Sequence, residues 1–95
     1  MTIDQKRIAD LCRMHDIILL SVFGSVARGE DHLGSDIDLL VRFGRRKTLI
    51  DLIGIEEQFE QALGRKVDLV TEAALSPFRR DHVLLEARVI YERAA

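Results

Sequence analysis

The chain reads as an α/β (α+β) fold, a mixed β-sheet of three to four strands flanked by helices. Three observations predict it. Helical and strand patterns alternate from one end of the sequence to the other. The run Ile-Ile-Leu-Leu-Ser-Val-Phe at 17–23 is almost wholly apolar and β-prone, as a central strand covered on both faces would be. Two later strands alternate, with Ile37, Leu39 and Val41 on one side of the first and Val67 and Leu69 on one side of the second, while Asp36, Asp38 and Asp68 take the opposite side. Helices can settle on the apolar side, which leaves the aspartate side partly open.

The elements follow in order. Thr2-Ile3-Asp4-Gln5 has the form of a capping box, and Ile8, Leu11 and Cys12 continue a helical stripe that ends near His15. The apolar strand 17–23 runs directly into Gly24-Ser25. Residues 25–28 allow about one helical turn, and 29–34 form a polar connection. A second strand spans 36–43. Gly44-Arg45-Arg46-Lys47 is a basic loop, after which Thr48, with Asp51 three residues on, caps a helix carrying Leu49, Leu52, Ile55, Phe59 and Leu63 inward. Gly64 stands where a helix stop belongs. A third strand spans 66–71, and Ser76-Pro77 opens a helix over 78–86. Arg88-Val89-Ile90-Tyr91-Glu92 is either a short final strand or the tail of that helix, because five residues are too few for periodicity to decide.

Composition narrows the function classes. At 95 residues the chain makes one small domain, 1–95, burying roughly 60 to 65 % of its unfolded surface. A hydrophobic share of 47 % with 32 % charged residues fits a soluble globular protein. Fourteen basic and 16 acidic residues leave a net charge of -2, so extensive direct nucleic-acid binding is not expected. Cys12 stands alone and cannot form an intramolecular disulfide, the N-terminus is polar, and the longest apolar stretch is far short of a membrane span. A cytoplasmic protein without a membrane partner is the expectation.

The chemistry lies in the aspartates. Two carboxylates on one side of a rigid strand, set against an apolar sheet, are costly without a cation, and a hard divalent ion that keeps waters and phosphate oxygens is the usual remedy. Asp68 adds a third carboxylate on the next long strand. Gly24 lets the backbone approach a phosphate closely, and Ser25 adds a hydroxyl while its amide begins a short helix whose dipole favours negative charge. Arg28 either neutralises phosphate charge or braces the loop through a carboxylate. Ser35 either joins the site or hydrogen-bonds its own loop. The plainer alternative for Asp36 and Asp38 is a solvated strand end, which leaves the matching position of Asp68 unexplained.

Gly24-Ser25-Val26-Ala27-Arg28-Gly29, five further residues, and Ser35-Asp36-Ile37-Asp38-Leu39-Leu40-Val41 resemble the signature of the minimal nucleotidyltransferases, within the DNA polymerase β-like nucleotidyltransferase superfamily. The likeness covers almost the whole chain, through Val67-Asp68-Leu69-Val70, with no departure at any motif position. It implies the nucleotidyltransferase fold, with Asp36, Asp38 and Asp68 as catalytic residues holding two Mg2+ ions and Gly24, Ser25, Arg28 and Ser35 binding the nucleotide. It also implies in-line attack on the α-phosphate of a nucleoside triphosphate, ATP, with Asp68 orienting the acceptor hydroxyl. In that family such cores are commonly encoded beside a helical HEPN-type ribonuclease, as antitoxin and toxin. The resemblance therefore implies a protein adenylyltransferase antitoxin that places AMP on a tyrosine of the toxin. A non-catalytic antitoxin or scaffold that masks its partner by binding stands beside it, as does nucleotidyl transfer to a small molecule or an RNA end.

Other residues carry weaker signals. His15, His32 and His82 share no metal spacing, and His32, between the two motif halves, is the one placed to touch substrate. Cys12 falls on the inward stripe, and Tyr91 suits packing near a strand edge. Arg42, Arg45, Arg46 and Lys47 form either a solvated loop or a docking patch. Arg79-Arg80 sit where a helix dipole disfavours positive charge, which points to partner contact.

Overall fold

The computed structural model describes residues 4–30 and 36–93. The elements run α1 (Gln5–Met14), β1 (Ile17–Phe23), α2 (Gly24–Ala27), β2 (Ile37–Phe43), α3 (Leu49–Leu63), β3 (Val67–Thr71), a single 3-10 turn (Glu72–Ala74), α4 (Pro77–Glu86) and β4 (Arg88–Glu92). The four strands form one sheet in the order β3-β2-β1-β4. β1 is antiparallel to both β2 and β4, and β2 is parallel to β3, so the sheet is mixed as expected. The open alternative at the C-terminal end resolves as strand: Ala87 leaves the helix with extended dihedrals, and Arg88–Glu92 pairs with the free side of β1.

One face of the sheet carries the main core. Ile8 and Cys12 of α1 and Ile55 and Phe59 of α3 pack against Ile17, Leu20, Ile37, Leu39, Val41 and Val67, all of them buried. Phe59 is fully enclosed, and truncating such a side chain to alanine costs about 3–5 kcal/mol. The expected inward set on α3 needs one correction. Ile55 and Phe59 are buried and Leu52 and Leu63 half-buried, but Leu49 is 73 % exposed, because the first residue of the helix projects past the sheet. The other face holds a smaller core, in which Val83 of α4 packs against Phe23 and Leu40. Helix α4 thus covers part of the aspartate face.

Local chemistry sets the helix ends. Thr48 Oγ1 accepts from Asp51 N at 3.1 Å while Asp51 Oδ2 accepts from Thr48 N at 3.0 Å, a complete capping box. Gly64 ends α3 at φ +68°, where a side chain would be strained. The N-cap of α1 is Asp4, its carboxylate accepting from Arg7 N at 3.2 Å, while Thr2 of the expected capping box lies outside the described residues. Aspartate directly before the first helical residue is among the favoured caps.

The edge strand β3 is not left bare. Val67 N donates to Glu60 Oε2 and Leu69 N to Glu56 Oε2, both at 2.9 Å, so two carboxylates one turn apart on α3 occupy the outward N–H groups of the strand that carries Asp68. An unpaired strand edge invites wrong pairing, and this arrangement closes it. Among the described residues no helix is long and apolar enough to cross a membrane.

Candidate active site

Strand register brings the motif together. Asp38 pairs with Phe23 on the β1 side and with Asp68 on the β3 side, so Phe23, Asp38 and Asp68 stand in one row across three neighbouring strands, and Gly24 follows directly where β1 ends. Asp36 precedes β2 and is exposed, Asp68 is exposed on β3, and Asp38 between them is half-buried. Parallel pairing of β2 with β3 is what aligns the two carboxylates, because same-register partners on parallel strands point to the same face.

Gly24 is required twice over. Its φ is +71°, and a Cβ built there would lie 2.2 Å from Asp38 Oδ2, well inside van der Waals contact. The turn after β1 is therefore pressed directly onto the central carboxylate. Ser25 follows in α2, half-buried. That helix is four residues long, anchored by buried Ala27 and closed by Arg28 N to Gly24 O at 3.2 Å and Glu30 N to Ser25 O at 2.9 Å.

Arg28 acts as a brace. Its Nε donates to Glu30 Oε2 at 2.9 Å, and Nη1 donates to Glu86 Oε1 at the far end of α4. These two hydrogen bonds, that to Glu30 foremost, hold the guanidinium even more firmly protonated than usual. The glycine-serine turn is thereby tied to the helix that lies over the aspartate face.

The carboxylates repel one another. Burial, then the charge of Asp68, then that of Asp36 push the Asp38 carboxyl above the ordinary carboxylate range, with Glu86 adding to the rise and Arg79 opposing it. Among the described residues no three His, Cys, Asp or Glu side chains are gathered into a group that would hold a metal unaided. The donor set nevertheless fits magnesium. It is all oxygen, open on one side and short of positive charge, which suits an ion that takes one or two carboxylates and completes its shell with water and phosphate.

Two of the sequence candidates, Ser35 and His32, lie outside the described residues. His15 hydrogen-bonds Gln58, and His82 stands 3.8 Å from Glu86. Cys12 is fully buried, and burial pushes its thiol up to about 12, which makes it an inert core residue. Tyr91 packs against the main core from β4. The basic cluster is dispersed: Arg42 pairs with Glu72 at 2.5 Å, Arg45 lies 3.8 Å from Asp16, and Lys47 sits 5.7 Å from the centre of the Phe43 ring. Sequence reasoning missed Glu86 and the role of α4. The signal was there, since Val83 and Glu86 are three residues apart and a helix that buries one turns the other to the same side.

The chain is similar to several known proteins. A Methanocaldococcus jannaschii protein provisionally assigned protein adenylyltransferase activity is 39 % identical over 83 residues, covering 87 % of this chain and 89 % of its own. The protein adenylyltransferase MntA of Thermococcus cleftensis is 42 % identical over 72 residues, covering 76 % of this chain and 71 % of its own. A solved toxin-antitoxin structure with AMP-PNP superposes with a TM-score of 0.81 at 25 % identity, covering 96 % of this chain and 75 % of that one. A solved structure provisionally described as a minimal nucleotidyltransferase superposes with a TM-score of 0.77 at 43 % identity, covering 88 % of this chain and 86 % of that one, which bears out the nucleotidyltransferase fold. The nucleotidyltransferase domain family matches residues 5–90, and with the glycine-serine turn, the aspartate row and the mixed sheet all in place, the chain belongs to that family and is a minimal nucleotidyltransferase.

Proposed function

We propose that this chain is a magnesium-dependent protein adenylyltransferase that transfers AMP from ATP to a tyrosine of a HEPN-type toxin and so acts as its antitoxin. The observation that carries the reading is the pairing of Asp38 with Asp68 beside Gly24, in which a half-buried carboxylate is crowded by a second charge and leaves no room for a side chain at the adjoining turn. Such a crowd is unfavourable in the free protein and becomes favourable once cations and a polyphosphate enter. Support for protein as acceptor and ATP as donor comes from relatives named protein adenylyltransferases and from a neighbour solved as a toxin-antitoxin complex with AMP-PNP.

Asp36 and Asp38 would hold the metal, with Asp68 completing the set on the acceptor side. When bound, magnesium would neutralise the phosphates and stabilise the charge that develops on the attacking and leaving oxygens. The protein's own groups do the rest. Gly24 and Ser25 cradle the triphosphate, Arg28 keeps that turn fixed through Glu30 and Glu86, and Asp68 orients the phenolic hydroxyl and takes its proton. The phenolic oxygen forms a bond to the α-phosphorus, the bond from that phosphorus to the β-phosphate oxygen breaks, and pyrophosphate leaves.

The test is intact-mass spectrometry of the toxin encoded beside this chain after incubation with the chain, magnesium and ATP. One or more AMP units should be gained, and the Asp36→Asn/Asp38→Asn variant should add none. A stable complex with no mass gain would instead make the chain an antitoxin that works by binding.

A further inference from the structure

Helix α4 begins badly for a helix. Its first turn holds no acidic residue, the Ser76 side chain makes no capping hydrogen bond, and two arginines stand where the dipole repels them. Arg80 is accounted for, since it lies 3.6 Å from Glu72, which also holds Arg42. Arg79 is not: it makes no side-chain hydrogen bond or ion pair with the described residues, and it is exposed.

Its placement is the informative point. Arg79 lies one turn before Val83, which is buried against Phe23 and Leu40, and two turns before Glu86, which holds Arg28. Residues four and seven apart share a helix face, so Arg79, Val83 and Glu86 line the side of α4 turned to the aspartate face. Phe23 directly precedes Gly24 and Leu40 lies two residues beyond Asp38 on the same face of β2, so this face of the helix lies over the strands that carry the site. The guanidinium is near enough to act on Asp38 as an attractive charge, yet it pairs with none of the aspartates. Arg28, the other arginine of the site, is already committed to two glutamates.

We propose that Arg79 is a positioning residue for the nucleotide, an arginine kept unpaired on the wall of the site to contact the phosphate chain of the incoming triphosphate. The unfavourable place in the helix is then the cost of delivering a positive charge where several phosphate charges arrive. Guanidinium suits the task through its planar set of donors. The inference rests on the reading of the aspartates as a nucleotide site and goes beyond it by assigning a residue outside the motif.

Titration calorimetry with magnesium and AMP-PNP, on wild type, Arg79→Ala, Arg79→Lys and Arg80→Ala, tests it. Arg79→Ala should weaken AMP-PNP binding roughly tenfold, the scale of one charge-assisted contact, and should weaken AMP, which carries less charge, by a smaller factor. Arg79→Lys should recover most of the loss, and Arg80→Ala should bind as wild type does. The melting temperature of Arg79→Ala without ligand should equal or exceed that of wild type, because the clash with the dipole is gone, and this separates lost contact from lost fold. Wild-type affinity in a folded Arg79→Ala would overturn the inference alone. Unchanged nucleotide affinity with weakened toxin binding would overturn it in favour of a docking role, and a wild type that binds no magnesium–AMP-PNP would overturn the nucleotide site on which it stands.

Discussion

Asp38 and Asp16 are carboxylates near opposite ends of the same sheet, and their surroundings could hardly differ more. At Asp16 the chain gathers opposite charge: Arg93 Nη1 donates to Oδ1 at 2.6 Å, Arg45 Nε stands 3.8 Å from Oδ2, and the Asp16 carbonyl accepts from Gly44 N at 2.8 Å. The hydrogen bond from Arg93 comes first among the causes that hold this carboxyl below its ordinary range. Asp16 also takes a left-handed backbone, φ 57°, a conformation aspartate tolerates better than most residues. The α1–β1 turn, the end of β2 and the end of β4 are thus pinned at one point. At Asp38 the chain gathers like charge around a half-buried carboxyl, and that carboxyl is held high. One end of the sheet is arranged for the stability of the free protein, whereas the other leaves like charges unsatisfied at neutral pH, as sites built to receive a charged ligand do.

The largest expected effect comes from removing the unsatisfied group. Asp38→Asn should cut transfer of AMP by roughly 10²- to 10³-fold or more, the scale of losing a preorganised electrostatic group, measured as the initial rate of mass gain on the acceptor. Gly24→Ala should follow. Forcing alanine into a left-handed backbone costs about 1–2 kcal/mol, and the new Cβ meets the Asp38 carboxylate besides. Urea unfolding should therefore report a loss of at least that size, with transfer reduced in the fraction that folds. Glu60→Ala strips Val67 N–H of its acceptor and should cost about 1–3 kcal/mol, less for Glu60→Gln, which keeps an amide oxygen in reach. The smallest effect is that of acid on the two carboxylates. Asp16, with its lowered pKa, adds stability at neutral pH that fades as the pH falls through that lowered value. Asp38, with its raised pKa, is a liability at neutral pH, relieved as the pH falls through the raised one. Asp16→Asn should accordingly lower the melting temperature at pH 7 and blunt the acid-side loss of stability, whereas Asp38→Asn should do neither.

Much of this contrast was legible in the sequence at one end only. The row of aspartates could be read because strand alternation, with its period of two, assigns each side chain to a face from local order alone. The capping box at Thr48 and the stop at Gly64 are equally local, and both stand as expected. What could not be read depends on where separate elements meet. That Asp4 caps α1 turns on where the first helical turn settles. The final strand exists because β1 offers it an edge. The Asp16 cluster joins residues 77 positions apart, and no local pattern announces it. Glu56 and Glu60 look like solvated helix charges until β3 is seen to lie beneath them. The position of α4 over the aspartate face, and with it the Arg28–Glu86 brace, belongs to the same class of long-range facts.

Melting curves of wild type and Asp38→Asn, each without ligand and with magnesium and AMP-PNP, test the central claim most directly. Ligand that binds only the folded state raises its stability by an amount set by concentration over affinity, about 2.7 kcal/mol at a hundredfold excess over Kd. The variant should melt higher than wild type when both are free, since a crowded charge has been removed, and lower than wild type when both are saturated, since the cation has lost its ligand. An order that stays the same in the two conditions would contradict the account, for the carboxylate row would then be neither a liability in the free protein nor a site for the metal-bound nucleotide.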